Sequence, residues 1–86
     1  LSKTHMMEIT VQISEDQTIV ELSKSIQPFH ADIFLKKFVQ GNPVEINIKS
    51  FLGLITLHLQ NDDRIQVRAV GEDSEEALKA VVDYLT

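Results

Sequence analysis

Ile9, Val11 and Ile13 alternate with Glu8, Thr10 and Gln12, the period-two signature of a strand buried on one side. Ser14 and Gln17 then read as a capping box, with Glu15 and Asp16 in the first turn of a helix. Ile19, Leu22, Ile26 and Phe29 follow at spacings of three and four, so the pattern predicts an amphipathic helix over 15–27, ended by Pro28. Ile33 and Leu35 alternate with Asp32, Phe34 and Lys36 in a second strand. Gln40-Gly41-Asn42-Pro43 is a turn cluster, and Val44, Ile46 and Ile48 give a third strand paired with the second as a hairpin. Ser50 begins a short helix over about 51–57, and Asn61-Asp62-Asp63 turns the chain into a fourth strand carrying Ile65, Val67 and Ala69. Asp73 with Glu76 is expected to cap a last helix whose Ala77, Leu78, Val81, Val82 and Leu85 face the core.

The predicted order is βαββαβα. Strands that alternate cleanly have one apolar and one wet face, so all three helices must cover the same side. The expected fold is therefore α+β: an open-faced two-layer sandwich with a four-stranded antiparallel sheet and three helices on one face.

At 86 residues the chain has room for one small core. A net charge of −5 argues against a dedicated nucleic-acid surface, which needs clustered Lys and Arg. No cysteine is present, which removes disulfides, thiolate metal sites and a cysteine nucleophile. No apolar run is long enough for a membrane span, and a cytoplasmic location is expected. Residues 1–5 lack the apolar region of a signal peptide and are expected to be a remnant or ragged terminus, leaving one domain over 6–86.

Asn47-Ile48-Lys49-Ser50-Phe51-Leu52-Gly53-Leu54, followed by Arg68-Ala69-Val70-Gly71-Glu72-Asp73 and Glu75-Glu76-Ala77-Leu78, resembles the second half of HPr, the small phosphocarrier of the bacterial sugar phosphotransferase system. The resemblance is strong over 47–86, moderate over 29–46 and topological over 6–28. It implies the same fold. The family's Gly-Leu-His-Ala-Arg-Pro signature is missing: Glu15 falls where the phosphorylated histidine belongs and Gln17 where its arginine belongs. The connection before the first helix is shorter than the family's by roughly four residues, and the hairpin at Gln40–Pro43 is longer by about four. Glu15 reads either as a fixed mimic of the phosphorylated state or as an acidic residue answering a helix dipole.

In Gram-positive members of that family, the serine of the Lys-Ser-apolar-apolar-Gly motif is phosphorylated by an ATP-dependent kinase, and Lys49-Ser50-Phe51-Leu52-Gly53 matches it. Ser50 is equally suited to capping its helix and doing nothing else. The resemblance also places a docking surface on Lys49, Phe51, Leu52 and Ile55, toward a protein partner of the HPr-kinase or transcriptional-regulator type; the same side chains could instead be core. The implied function is a regulatory or binding module of carbon-catabolite control without phosphocarrier activity, not an enzyme, with no cofactor and no metal. Two other readings stay open: a phosphocarrier using the displaced His30, and a small-molecule sensor resembling ACT domains. His5 and His58 have no partner at metal or nucleophile spacing.

Overall fold

The computed structural model describes residues 3–86 and contains β1 (Thr4–Thr10), α1 (Ile19–Ile26), β2 (Asp32–Val39), β3 (Asn42–Asn47), α2 (Phe51–Leu57), β4 (Arg64–Val70) and α3 (Ser74–Leu85). The four strands form one antiparallel sheet in the order β1-β4-β2-β3, with Ile9 opposite Ile65, Leu35 opposite Val67, and Leu35 opposite Ile46. Ile33, Leu35, Ile65, Val67 and Ala69 turn into the core because they share one side of the pleat. Leu22 and Ile26 of α1, Leu54 and Leu57 of α2, and Ala77, Leu78, Val81 and Leu85 of α3 close over them. The two-layer α+β sandwich is the expected one.

Four local expectations are corrected. Strand β1 starts earlier than the alternation suggests: Thr4 pairs with Val70 and His5 with Ala69, and the Lys3 carbonyl accepts the Gly71 N–H at 2.7 Å. Thr4 and His5 are therefore part of the domain, while Leu1 and Ser2 lie outside the described residues. An edge strand is held by its backbone ladder and needs no apolar pattern, so alternation does not mark where β1 begins. Val11 is fully buried beyond the strand, exchanging backbone bonds with Asp62 and Asp63 at 2.8 Å each.

The first helix begins at Ile19, one turn later than predicted, with Thr18 as its cap. Thr18 Oγ1 accepts the Glu21 N–H at 3.2 Å, whereas residues 14–17 form a turn in which Gln17 Oε1 accepts the Ser14 N–H. Gln17 Nε2 donates to the Tyr84 carbonyl at 2.7 Å, and Tyr84 Oη both accepts the Thr18 N–H (3.0 Å) and donates to the Thr18 carbonyl (2.9 Å). Contacts with the end of α3, invisible to a local pattern, decide where α1 starts.

The hairpin turn is only Gln40-Gly41, both at positive φ (52° and 82°), so Asn42 and Pro43 belong to β3 and not to the turn. A two-residue turn of this hand matches the twist of the strands. Pro43 is tolerated because β3 is an edge and the proline falls at a position whose missing N–H would face outward.

Asp73 occupies the cap position of α3 without capping it. Its two carboxylate oxygens accept the N–H groups of His30 and Ala31, each at 2.8 Å, tying the α1–β2 junction to the start of α3. The approach is close: a Cβ on Gly71, at φ +146°, would stand 2.9 Å from Ala31 Cα, so glycine is required.

Candidate docking and modification site

Asn47 ends β3 and shapes the entry to α2. Its Oδ1 accepts the Lys49 N–H at 3.0 Å and its carbonyl accepts the Ser50 N–H at 2.8 Å. Ser50 then caps the helix: its backbone is extended (φ −88°, ψ 108°), and Oγ accepts the Gly53 N–H at 3.2 Å. Gly53 lets α2 lie directly on β3, since a Cβ there would reach 3.1 Å from Ile46 Cβ. The helix runs back along β3 toward the hairpin.

Its two sides differ sharply. Leu54 and Leu57 are buried, while Leu52 is 75% exposed, Ile55 50% and Phe51 41%. Seven residues cannot bury apolar side chains all round on a domain of this size, so these three form an apolar surface beside an exposed serine hydroxyl. Lys49 is exposed at its edge, with Nζ donating to the His30 carbonyl at 3.3 Å.

The far end of α2 is held by a tie that sequence reading missed. Lys37 Nζ donates to the His58 carbonyl at 2.9 Å and the Leu57 carbonyl at 3.4 Å, and pairs with Asp63 Oδ2 at 2.8 Å. A cation is favoured at the C-terminal end of a helix, and His58 ends it in a left-handed conformation (φ 54°, ψ 64°). Burial raises the Asp63 carboxyl, but hydrogen bonds from Lys37 and the Gln60 N–H outweigh it, and the net pKa is lowered. The alternation that put Lys37 on the apolar side of β2 was the available signal.

The position that matches the family's histidine, Glu15, is differently built. Glu15 is exposed in the turn before Thr18, so it is not a helix-start residue; Glu21 is the acid in the first turn of α1. The dipole explanation of Glu15 therefore fails for want of a helix around it. His30 lies at the opposite end of α1, roughly 12 Å along an eight-residue helix. Hydrogen bonding from the His30 N–H lowers the pKa of Asp73, so a carboxylate stands beside that histidine. His5 Nδ1 is 2.8 Å from the buried Ser74 Oγ, a structural bond, and His58 caps α2. Among the described residues no group of three His, Asp or Glu could hold a metal, and no helix is long and apolar enough to cross a membrane.

The family described as PTS HPr component phosphorylation site matches residues 16–86, which takes in Ser50, α2 and the whole sheet except β1. The chain belongs to the HPr family. It is 44% identical over 45 residues to the phosphocarrier protein HPr of Mycoplasma pneumoniae, covering 52% of this chain and 51% of that one. It is 33% identical over 57 residues to the HPr-like protein Crh of Bacillus subtilis, covering 66% of this chain and 62% of that one. The alignments thus span about half to three-fifths of those relatives' lengths. The crystal structure of HPr from Bacillus anthracis superposes with a TM-score of 0.80 at 28% identity, over 96% of this chain and 98% of the other. The family resemblance and its fold hold; residues 3–15, with Glu15, fall outside the family match.

Proposed function

We propose that this chain is a cytoplasmic regulatory module of the sugar phosphotransferase network, which binds a protein partner through α2 and is switched by phosphorylation of Ser50. The observation that carries the reading is the pairing, on one short helix, of an exposed Ser50 hydroxyl with the exposed apolar side chains of Phe51, Leu52 and Ile55. In the modification, Ser50 Oγ attacks the γ-phosphorus of ATP; its O–H proton is released and ADP leaves. The phosphate adds about −1.5 to −2 charges at the N-terminal end of α2, where it is tolerated, and next to a docking surface whose partners it would change. Similarity to Crh supports a regulatory role.

Phosphocarrier chemistry is disfavoured on residues alone. No histidine stands near the start of α1, and the Thr18 N–H that could face an anion is taken by Tyr84 Oη. His30 is a poor substitute because the Asp73 carboxylate on its own backbone N–H would repel a phosphate. The test is intact-mass spectrometry after incubation with ATP and a serine kinase that phosphorylates HPr proteins. One phosphate on the wild type and none on Ser50→Ala is expected. An unmodified wild type, beside an HPr phosphorylated in the same tube, would reduce Ser50 to a helix cap.

A further inference from the structure

The side of the sheet that carries no helix differs in charge from the rest of the molecule. Ile33, Leu35, Ile65, Val67 and Ala69 point into the core, so Asp32, Phe34, Lys36 and Phe38 of β2 and Arg64, Gln66 and Arg68 of β4 point the other way. Glu8 lies opposite Gln66 and Glu45 opposite Lys36, which puts both on the same open face. Its cations are Lys36, Arg64 and Arg68 and its carboxylates Glu8, Asp32 and Glu45, so the face is neutral and the net charge of −5 lies elsewhere.

Four of these six charges are matched within the chain. Arg64 Nε meets Glu8 at 2.8 Å, and Arg68 lies 3.5 Å from Glu45 with its guanidinium 4.3 Å from the centre of the Phe34 ring. Asp32 and Lys36 are left over: among the described residues neither forms an ion pair. They stand on one strand, about 13 Å apart, on either side of Phe34. Lys36 Nζ leans toward Phe38, 6.0 Å from its ring centre, and borders a cleft of about 560 Å³ shared with Phe38, Arg64 and Gln66.

We infer that the open sheet face binds a second copy of this chain, face to face, with the two β2 strands antiparallel and a two-fold axis crossing them near Phe34. A half-turn about that axis brings Asp32 of each copy to Lys36 of the other, so the face is its own complement and both leftover charges are satisfied at once. Two acidic molecules repel one another, and a neutral face is the side by which they meet with least repulsion. Met6 and Phe38, 52% and 62% exposed, add apolar surface there. Packed sheets stand about 10 Å apart, a gap that Asp and Lys side chains span together. The sheet measures roughly 19 Å by 24 Å, so the pair covers on the order of 900 Å² in all, below a standard interface, and the dimer is weak and reversible. Because α2 lies on the other layer, Ser50 stays exposed in both copies, and the inference does not depend on its modification.

The experiment is sedimentation equilibrium of the full chain from about 20 μM to about 1 mM, the range in which a weak dimer dissociates. A concentration-dependent dimer, weakened by salt, is expected. Asp32→Lys or Lys36→Asp alone sets like charges against each other at both symmetric contacts and should lower the association constant about tenfold or more. The double variant Asp32→Lys/Lys36→Asp restores opposite charges and should return to within about threefold of wild type. Glu21→Lys makes the same charge change on the helix layer and should not weaken the dimer. Thermal melts establish that each variant is folded. A monomer at about 1 mM overturns the inference. So does a dimer that the single reversals leave intact, or one that the double variant fails to restore.

Discussion

Removing the imidazole of His5 tests whether the first strand is an integral part of the domain. Ser74 is 0% exposed, and His5 Nδ1, at 2.8 Å, is the partner its hydroxyl finds across 69 residues of sequence. In His5→Ala that hydroxyl is left buried and unpaired, a loss of about 1–3 kcal/mol. A domain of this length has about 4–13 kcal/mol in total, so the change is a sizeable fraction of its stability. In the melting temperature it corresponds to a fall of about 4–8 °C for each kcal/mol. Ser74→Ala should be milder, about 0.5–1.5 kcal/mol, because it removes the buried polar group along with the bond, and half-buried His5 can turn to water. The double variant should cost little more than Ser74→Ala alone. The assay is urea unfolding of all four proteins at neutral pH, with the coupling energy taken from the cycle. A His5→Ala loss below about 0.5 kcal/mol that simply adds to that of Ser74→Ala would refute the reasoning. It would place residues 3–5 outside the cooperative unit after all.

The other predictions follow from ties at the edges of the core. Leu52→Asp and Ile55→Asp should change stability by no more than about 0.5 kcal/mol while abolishing partner binding, whereas Leu54→Asp, with its carboxylate buried, should prevent folding; thermal melts separate them. Gly71→Ala should destabilise strongly in urea, because its Cβ meets Ala31 Cα at 2.9 Å and its φ of +146° is strained for alanine. Asp63 and Asp73 have pKa values lowered from 3.8 in the folded state, so the unfolded chain binds more protons on acidification. Their contribution is complete above pH 3.8 and is lost as pH falls through the lower folded values; Asp63→Asn should therefore cost less stability at about pH 2.5 than at neutrality. Glu15→His should gain no phosphate from phosphoenolpyruvate and the first phosphotransferase enzyme, since residue 15 precedes the Thr18 cap in an exposed turn; an acid-labile phosphohistidine by mass spectrometry would show otherwise.

What could be read from residue order was whatever is set within a few residues. The span of α2, its Ser50 cap, the alternation in β2 and β4, and the core face of α3 are local patterns, and they appear in the structure as expected. What escaped depends on partners distant in sequence. Tyr84 selects Thr18 over Ser14 as the start of α1. Asp73 looks like a helix cap from its neighbours but spends both oxygens on His30 and Ala31. The Lys37–Asp63 pair joins residues that no periodicity relates. At the candidate site, helical spacing put Leu52 and Ile55 on one side but left core and surface open, and the structure exposes both with Phe51; the anchoring of α2 from below by Lys37 had no local signal.

The placement of β1 beside β4 also sets an order of events on the ribosome. The Gln40-Gly41 turn closes β2 and β3 within a few residues, and a hairpin of that kind forms in about 1–10 μs. Thr4 must wait for Val70, and Val11 for Asp62 and Asp63. During synthesis the first strand therefore stays without a neighbour until Arg64–Val70 have emerged. Closure of the sheet is a late, long-range step, whose loop-closing entropy makes such a mixed α/β domain slower to fold than a helical bundle of its size.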